Sequence, residues 1–193
     1  MPDEGLRNGS GETILCLADA DFLSSPLALQ LAHSFTLTQP PPALVGQADD
    51  AQARALSAQW GEGNARVRIC ATPAQAGVAL RLASLLGERA HCLVLISPEL
   101  LGEDGQSRDV FLAPHLANVV CPVLALFGHR DPVASPATAG RYKRAFAICH
   151  LMFVYDAADL LTERSEAVAE AIGDFCNRGE GFLVNALDGR LFP

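Results

Sequence analysis

Cys121-Pro122-Val123-Leu124-Ala125-Leu126-Phe127-Gly128-His129-Arg130-Asp131-Pro132-Val133 sets an apolar run directly against a polar turn. Pro122 to Phe127 is apolar throughout and does not alternate with polar residues. That predicts a strand covered on both faces, as in a parallel sheet. Gly128 to Pro132 then supplies the residues of a turn at the strand's carboxyl end. Further strands are predicted at Thr13–Leu17, Phe35–Thr38, Arg66–Cys70, His91–Ile96 and His150–Tyr155, most of them nearly continuous apolar runs. Helical patterns fall between or after them, at about Ser25–His33, Asp49–Trp60, Ala74–Leu86, Pro136–Phe146 and Glu163–Cys176. Strands alternating with helices predict the α/β class: a doubly wound, mostly parallel sheet of about six strands with helices on both faces.

The 193 residues fit one domain, 1–193, with an N-terminal tail over 1–11 and a C-terminal extension over 179–193. The formal charge is -8, from 14 Lys and Arg against 22 Asp and Glu. Phosphate backbones and anionic membranes are bound by clustered cations, and no such cluster is present, so neither is an expected partner. No apolar stretch approaches the ~18–20 residues of a membrane span, and Met1-Pro2-Asp3-Glu4-Gly5 does not read as a secretory signal. The cysteines are six, Cys16, Cys70, Cys92, Cys121, Cys149 and Cys176; five of them lie in or beside apolar runs, and none forms a CxxC pair. They read as reduced core thiols of a cytoplasmic protein, with no metal and no cofactor implied.

Parallel sheets bind ligands where their strands end. The segments to inspect are therefore Ala18-Asp19-Ala20-Asp21, Gln39-Pro40, Ala71-Thr72-Pro73, Ser97-Pro98, Gly128 to Pro132 and Asp156 to Asp159. Thr72, His129, Asp131, Asp159, Asp19 and Asp21 are the ligand-binding candidates. The carboxylates among them suit a hard cation or an ammonium group, or they cap turns. His129 equally reads as an ordinary loop histidine.

Three stretches carry a family resemblance. Cys121 to Val133 is similar to the strand that delivers the acid of a Ser-His-Asp triad. Phe153-Val154-Tyr155-Asp156-Ala157-Ala158, followed by Glu163-Arg164-Ser165-Glu166-Ala167-Val168, is similar to the closing strand and helix of the same fold. Asp174 to Asn185 is similar to the C-terminal end of one bacterial subgroup. Together they resemble the α/β-hydrolase superfamily over residues 87 to 185; over 10 to 86 only the order of elements matches.

The resemblance implies a truncated, capless member without an intact triad. Hydrolysis in this family needs a serine on a tight G-x-S-x-G turn, a histidine base and an acid that orients it. Counting back from the helix after Ala76, Pro73 falls on the serine position, with Ala71 and Gln75 where the glycines belong. Ala158 falls on the histidine position, five residues before Glu163. Asp131 matches the triad acid, and it also suits a turn cap. Ala18-Asp19 replaces the usual His-Gly of the oxyanion loop. A carboxylate there would oppose an oxyanion by about 4 kcal/mol at ~4 Å and an effective dielectric of ~20.

Ser97 to Asn118 leaves little room for the family's cap. Phe22-Leu23, Leu100-Leu101 and Phe111-Leu112 would then be uncovered, and Phe182-Leu183-Val184 has no evident place in the sheet. The expectation is a catalytically inactive binding or structural subunit. Its protein partner would be itself or an active, cap-bearing relative. The alternatives are a hydrolase with Thr72 or a cysteine as nucleophile and His129 as base, and a small-ligand binding module.

Overall fold

The computed structural model describes residues 7–8, 11–44, 49–62, 65–102, 111–132 and 135–183. Its sheet is made of β1 (Arg7–Asn8), β2 (Glu12–Leu17), β3 (Phe35–Thr38), β4 (Val67–Ala71), β5 (Ala90–Ile96), β6 (Val123–Gly128) and β7 (Cys149–Val154). The spatial order is β1-β3-β2-β4-β5-β6-β7. The last six form a parallel sheet, and only β1 runs antiparallel, against β3. Arg7 and Asn8, within the expected tail, thus pair with Thr38 and Leu37 at one sheet edge.

Neighbouring residues along each strand serve opposite layers, because side chains alternate across a pleated strand. Leu15, Leu17, Ile69, Leu93, Leu95, Val123, Ala125 and Phe127 pack under α2 (Asp49–Trp60), α3 (Ala76–Leu86) and α5 (Pro136–Ala145). Ile14, Cys16, Cys70, Cys92, Val94, Leu124 and Leu126 pack under α1 (Pro26–Leu31) and α6 (Ser165–Arg178). The central strands are apolar on both faces because both faces are covered. Pro26 and Pro136 open their helices behind Ser25 and Ser135, whose side chains accept from Ala28 N and Thr138 N.

The apolar pairs expected to be uncovered are mostly packed. Phe22, Leu101 and Leu112 are buried, while Phe111 is 71% exposed. The described part of the Ser97–Asn118 link includes only the one-turn α4 (Ala113–Leu116). Tyr142 of α5 tethers that link. Its hydroxyl donates to Pro98 O at 2.8 Å and accepts from Leu100 N at 2.8 Å. The described ends of the link are therefore packed down, with Leu101 and Leu112 in the core. At the C-terminus, Phe182 stands edge-on to Phe175 and His150, with centroids 5.4 and 5.7 Å away. Val184, the rest of that run, and residues 185–193 lie outside the described residues.

β2 is the point where chain order reverses: β3 lies on one side of it and β4 on the other. The carboxyl ends of β2 and β4 bound the crevice where this architecture puts ligands.

Candidate functional site

β4 ends at Ala71, and Thr72 caps a single 3-10 turn, Pro73–Gln75, that leads into α3. Thr72 is extended, with φ -73° and ψ 165°. A strained nucleophile turn would put a positive φ here. Among the described residues the only non-glycine positive φ values are at Ser97, Asp156 and Arg164. Thr72 is buried, and its N–H donates to Leu17 O at 3.1 Å. Its Oγ1 lies 3.5 Å from the same carbonyl, a long contact. Pro73 fits because a 3-10 turn leaves its first N–H unused.

The other half of the site hangs from β6. Gly128 lets the loop after β7 press against it: a Cβ there would meet Ala157 O at 2.5 Å and Ala158 O at 2.9 Å. Arg130 N donates to Ala157 O at 2.8 Å, and His129 N to Val154 O at 2.9 Å. Glu163 accepts from Ala158 N at 2.7 Å. Arg130 joins Glu163 at 3.1 Å and Asp156 at 3.2 Å, and Arg164 adds a contact to Asp156 at 3.3 Å. These charges are half exposed, so each pair is worth only ~0–1 kcal/mol. Their effect is to fix the path of the loop.

Pro73, Asp131 and Ala158, three positions far apart in the chain, line one cavity of about 220 Å³ with Ile96, Ser97, Glu99, Asp159, Leu160 and Leu161. Ser97 has φ +41° at the end of β5 and was not singled out by any sequence motif. Its only signal was its place just after a strand. A neighbouring depression of about 260 Å³ shares Pro73 and Glu99 and reaches Arg81, a buried cation held by Asp49 at 3.2 Å and Asp50 at 2.7 Å. Drug-sized ligands are usually enclosed in ~300–1,000 Å³, so neither space is large.

The remaining candidates are distributed differently from expectation. Asp19 and Asp21 are exposed and do not line the cavity. The Asp19 backbone carbonyl instead accepts from Gln39 Nε2 at 2.8 Å. Asp159 lines the cavity but also closes its own turn, accepting from Leu161 N at 3.0 Å and Thr162 Oγ1 at 2.7 Å. His129 is exposed and rests its ring against Tyr155 at 5.7 Å. It does not line the cavity, and neither does Thr72. Among the described residues no three His, Cys, Asp or Glu side chains converge as a cation-binding group. Asp19 is thus not placed to oppose an anion in this cavity, Thr72 and His129 do not meet in it, and the cation reading lacks a converging group among the described residues. Strand ends on one sheet edge still splay apart laterally.

All six cysteines are free and buried. Burial pushes the thiols of Cys16 and Cys121 up to about 12 and that of Cys149 to about 11. Cys70 and Cys92 are raised too, Cys70 chiefly by burial and Cys92 chiefly by its contact with Cys176, whose Sγ lies 3.8 Å away. Thiolate is the reactive form, so these groups are poor nucleophiles. Iodoacetamide at pH 8 should modify almost no native thiol, and all six after denaturation without reductant. Rapid alkylation of the native protein would contradict the burial.

No protein-family model and no curated protein matches the chain. Solved structures do, and they are α/β hydrolases. MGS-MChE2, an α/β-hydrolase enzyme from the metagenome of Mar Chica lagoon sediments in Morocco, superposes with TM-score 0.70 at 18% identity, over 90% of this chain and 94% of that one. CarC, a serine hydrolase involved in carbazole degradation, gives 0.69 at 14% identity, over 89% and 93%. The thioesterase domain from the curacin biosynthetic pathway gives 0.68 at 11% identity, over 86% and 93%. At these identities the likeness shows the fold: an α/β-hydrolase fold. Among the described residues no helix is long and apolar enough to cross a membrane.

Proposed function

We propose that this chain is a catalytically inactive α/β-hydrolase-fold protein that serves as a binding or structural subunit. The observation that carries the reading is the cavity where Pro73, Asp131 and Ala158 meet: among the described residues no histidine lines it. Proline stands on an unstrained turn where the family places its nucleophile, and alanine stands on the loop built to carry the base. Without a base within hydrogen-bond reach, neither serine nor threonine is activated at neutral pH.

A second reading is a hydrolase with a non-standard nucleophile. It is favoured by the hydrolases among the structural neighbours and by Ser97, a serine with left-handed backbone inside the same cavity. One experiment separates the two. Purified protein is given short p-nitrophenyl esters, then a serine-directed fluorophosphonate. The expected result is no hydrolysis above the buffer rate and no labelling. Stoichiometric labelling at Ser97 or Thr72 overturns the reading. The Pro73→Ser, Ala158→His double variant is expected to stay inactive. Ala71 and Gln75 replace the turn glycines, and triad side chains act as a unit with a preorganised oxyanion hole that two substitutions do not rebuild.

A further inference from the structure

We infer that β7 is an assembly edge, where two copies of this chain pair their β7 strands antiparallel about a two-fold axis. The inference names the surface for the assembling half of the proposed function and does not depend on the non-catalytic half.

The backbone carries the first part of the argument. Among the described residues β7 pairs only with β6. Ile148 O accepts from Val123 N and Val154 O from His129 N. The even-numbered residues from 148 to 154 therefore turn their backbone toward β6, as a parallel ladder requires. Cys149, Leu151 and Phe153 turn theirs to the open side. Lys143 takes the first of these carbonyls, Cys149 O; the groups of Leu151 and Phe153 are left for another strand. Edges that stay unpaired are normally blunted by charge, proline or a bulge. Cys149 to Val154 contains no Lys, Arg, Asp, Glu or Pro, and its pairing with β6 runs without a bulge. Phe153 is 36% exposed and the adjoining Tyr155 68%. An uncharged, aromatic edge of this kind accepts a strand.

The charges choose which strand, and in which direction. At the amino end of β7, the last turn of α5 presents Lys143 and Arg144. Near its carboxyl end lie Asp156, Asp159 and Glu163, against Arg130 and Arg164. Three carboxylates against two guanidiniums leave that end net negative, and two β7 strands set antiparallel bring the basic end of each copy against the net-negative end of the other, twice. Parallel pairing would set like against like. A two-fold arrangement is also closed, so it stops at a dimer.

The test uses the full chain at micromolar concentrations, by sedimentation and by amide hydrogen exchange. The expected particle has twice the 20.4 kDa chain mass, and protection of the Leu151 and Phe153 amides rises with concentration. Phe153→Pro, which removes an N–H that β6 does not use, is expected to be monomeric. Arg144→Glu lies on an exposed helical surface, so it leaves the fold intact; it is expected to weaken the dimer at least about tenfold. A monomer at every concentration overturns the inference, including one whose Leu151 and Phe153 amides are protected by its own chain. So does a dimer in which those amides exchange freely, or one that Arg144→Glu leaves unweakened. Activity has no part in this readout. A monomer leaves the catalytic reading standing, and a dimeric esterase overturns only that reading.

Discussion

Replacing Phe127 by alanine should cost about 3–5 kcal/mol of folding stability, the range for large aromatic truncations in a closed core. Phe127 is 1% exposed and occupies the carboxyl half of β6. Its ring meets Tyr142 edge-on at 5.7 Å and stacks on Phe153 at 5.6 Å. It thus joins α5, β6 and β7. Tyr142 is held on its far side by Pro98 and Leu100, so it cannot move in to fill the void. For a domain of this size each kcal/mol lowers Tm by ~2–4 °C, so a loss of roughly 10 °C is expected in calorimetry. A drop of only a degree or two would mean that the β6–β7 end of the core is loosely packed.

Gly128→Ala should cost about 2–3 kcal/mol, far more than one added methyl group would on an open surface. The new Cβ would stand 2.5 Å from Ala157 O and 2.9 Å from Ala158 O. These are backbone atoms, so the loop must shift as a unit. It would strain the Arg130–Ala157 and Ala158–Glu163 hydrogen bonds as it moves. Gly140→Ala is the natural control. There the Cβ would meet only Arg144, at an ordinary 3.5 Å, and alanine within a helix is favoured over glycine by up to ~1 kcal/mol. Thermal melts of the two variants should therefore move in opposite directions. Equal melts would show that the loop after β7 does not depend on close approach to Gly128.

The loop matters because it places Ala158 beside Pro73 and Asp131. Its supports include Glu163 and Arg130, residues that look from the sequence like ordinary surface charges. Glu163 was visible only as a counting mark, five residues after Ala158. Its carboxylate accepting from Ala158 N depends on a turn closed by Asp159, which periodicity does not describe. The candidates that fail to converge have a common cause. Asp19, Asp21 and His129 follow strand ends, as the rule for parallel sheets demands. A strand end fixes position along the sheet normal to its edge, but not the direction in which a loop side chain points. Asp19 turns outward while its carbonyl is used by Gln39, and His129 is drawn to Tyr155.

The central strands β5 and β6 were legible because each is a nearly continuous apolar run, the mark of covering on both faces; β3 and β4 showed instead as short β-branched or alternating runs between turn signals. Helix positions were legible to within a turn, since an apolar stripe repeats. Ends were less so: Pro73–Gln75 became a 3-10 turn ahead of α3, and the last helix begins at Ser165 after an αL residue, Arg164. The two-residue β1 was hidden because its pairing with β3 is made by backbone groups, to which side-chain patterns are blind. The burial of Phe22, Leu101 and Leu112 was also a tertiary decision. The sequence could say that the link between β5 and β6 is short, but only Tyr142, reaching across from a helix 40-odd positions later, ties down Pro98 and Leu100 at its start. Local periodicity thus determined the strands, the helices and their order. The meeting of Pro73, Ser97, Asp131 and Ala158 at one cavity, and the uncharged edge left at β7, depend on contacts between segments remote in the chain, and those existed only once the sheet had closed in register.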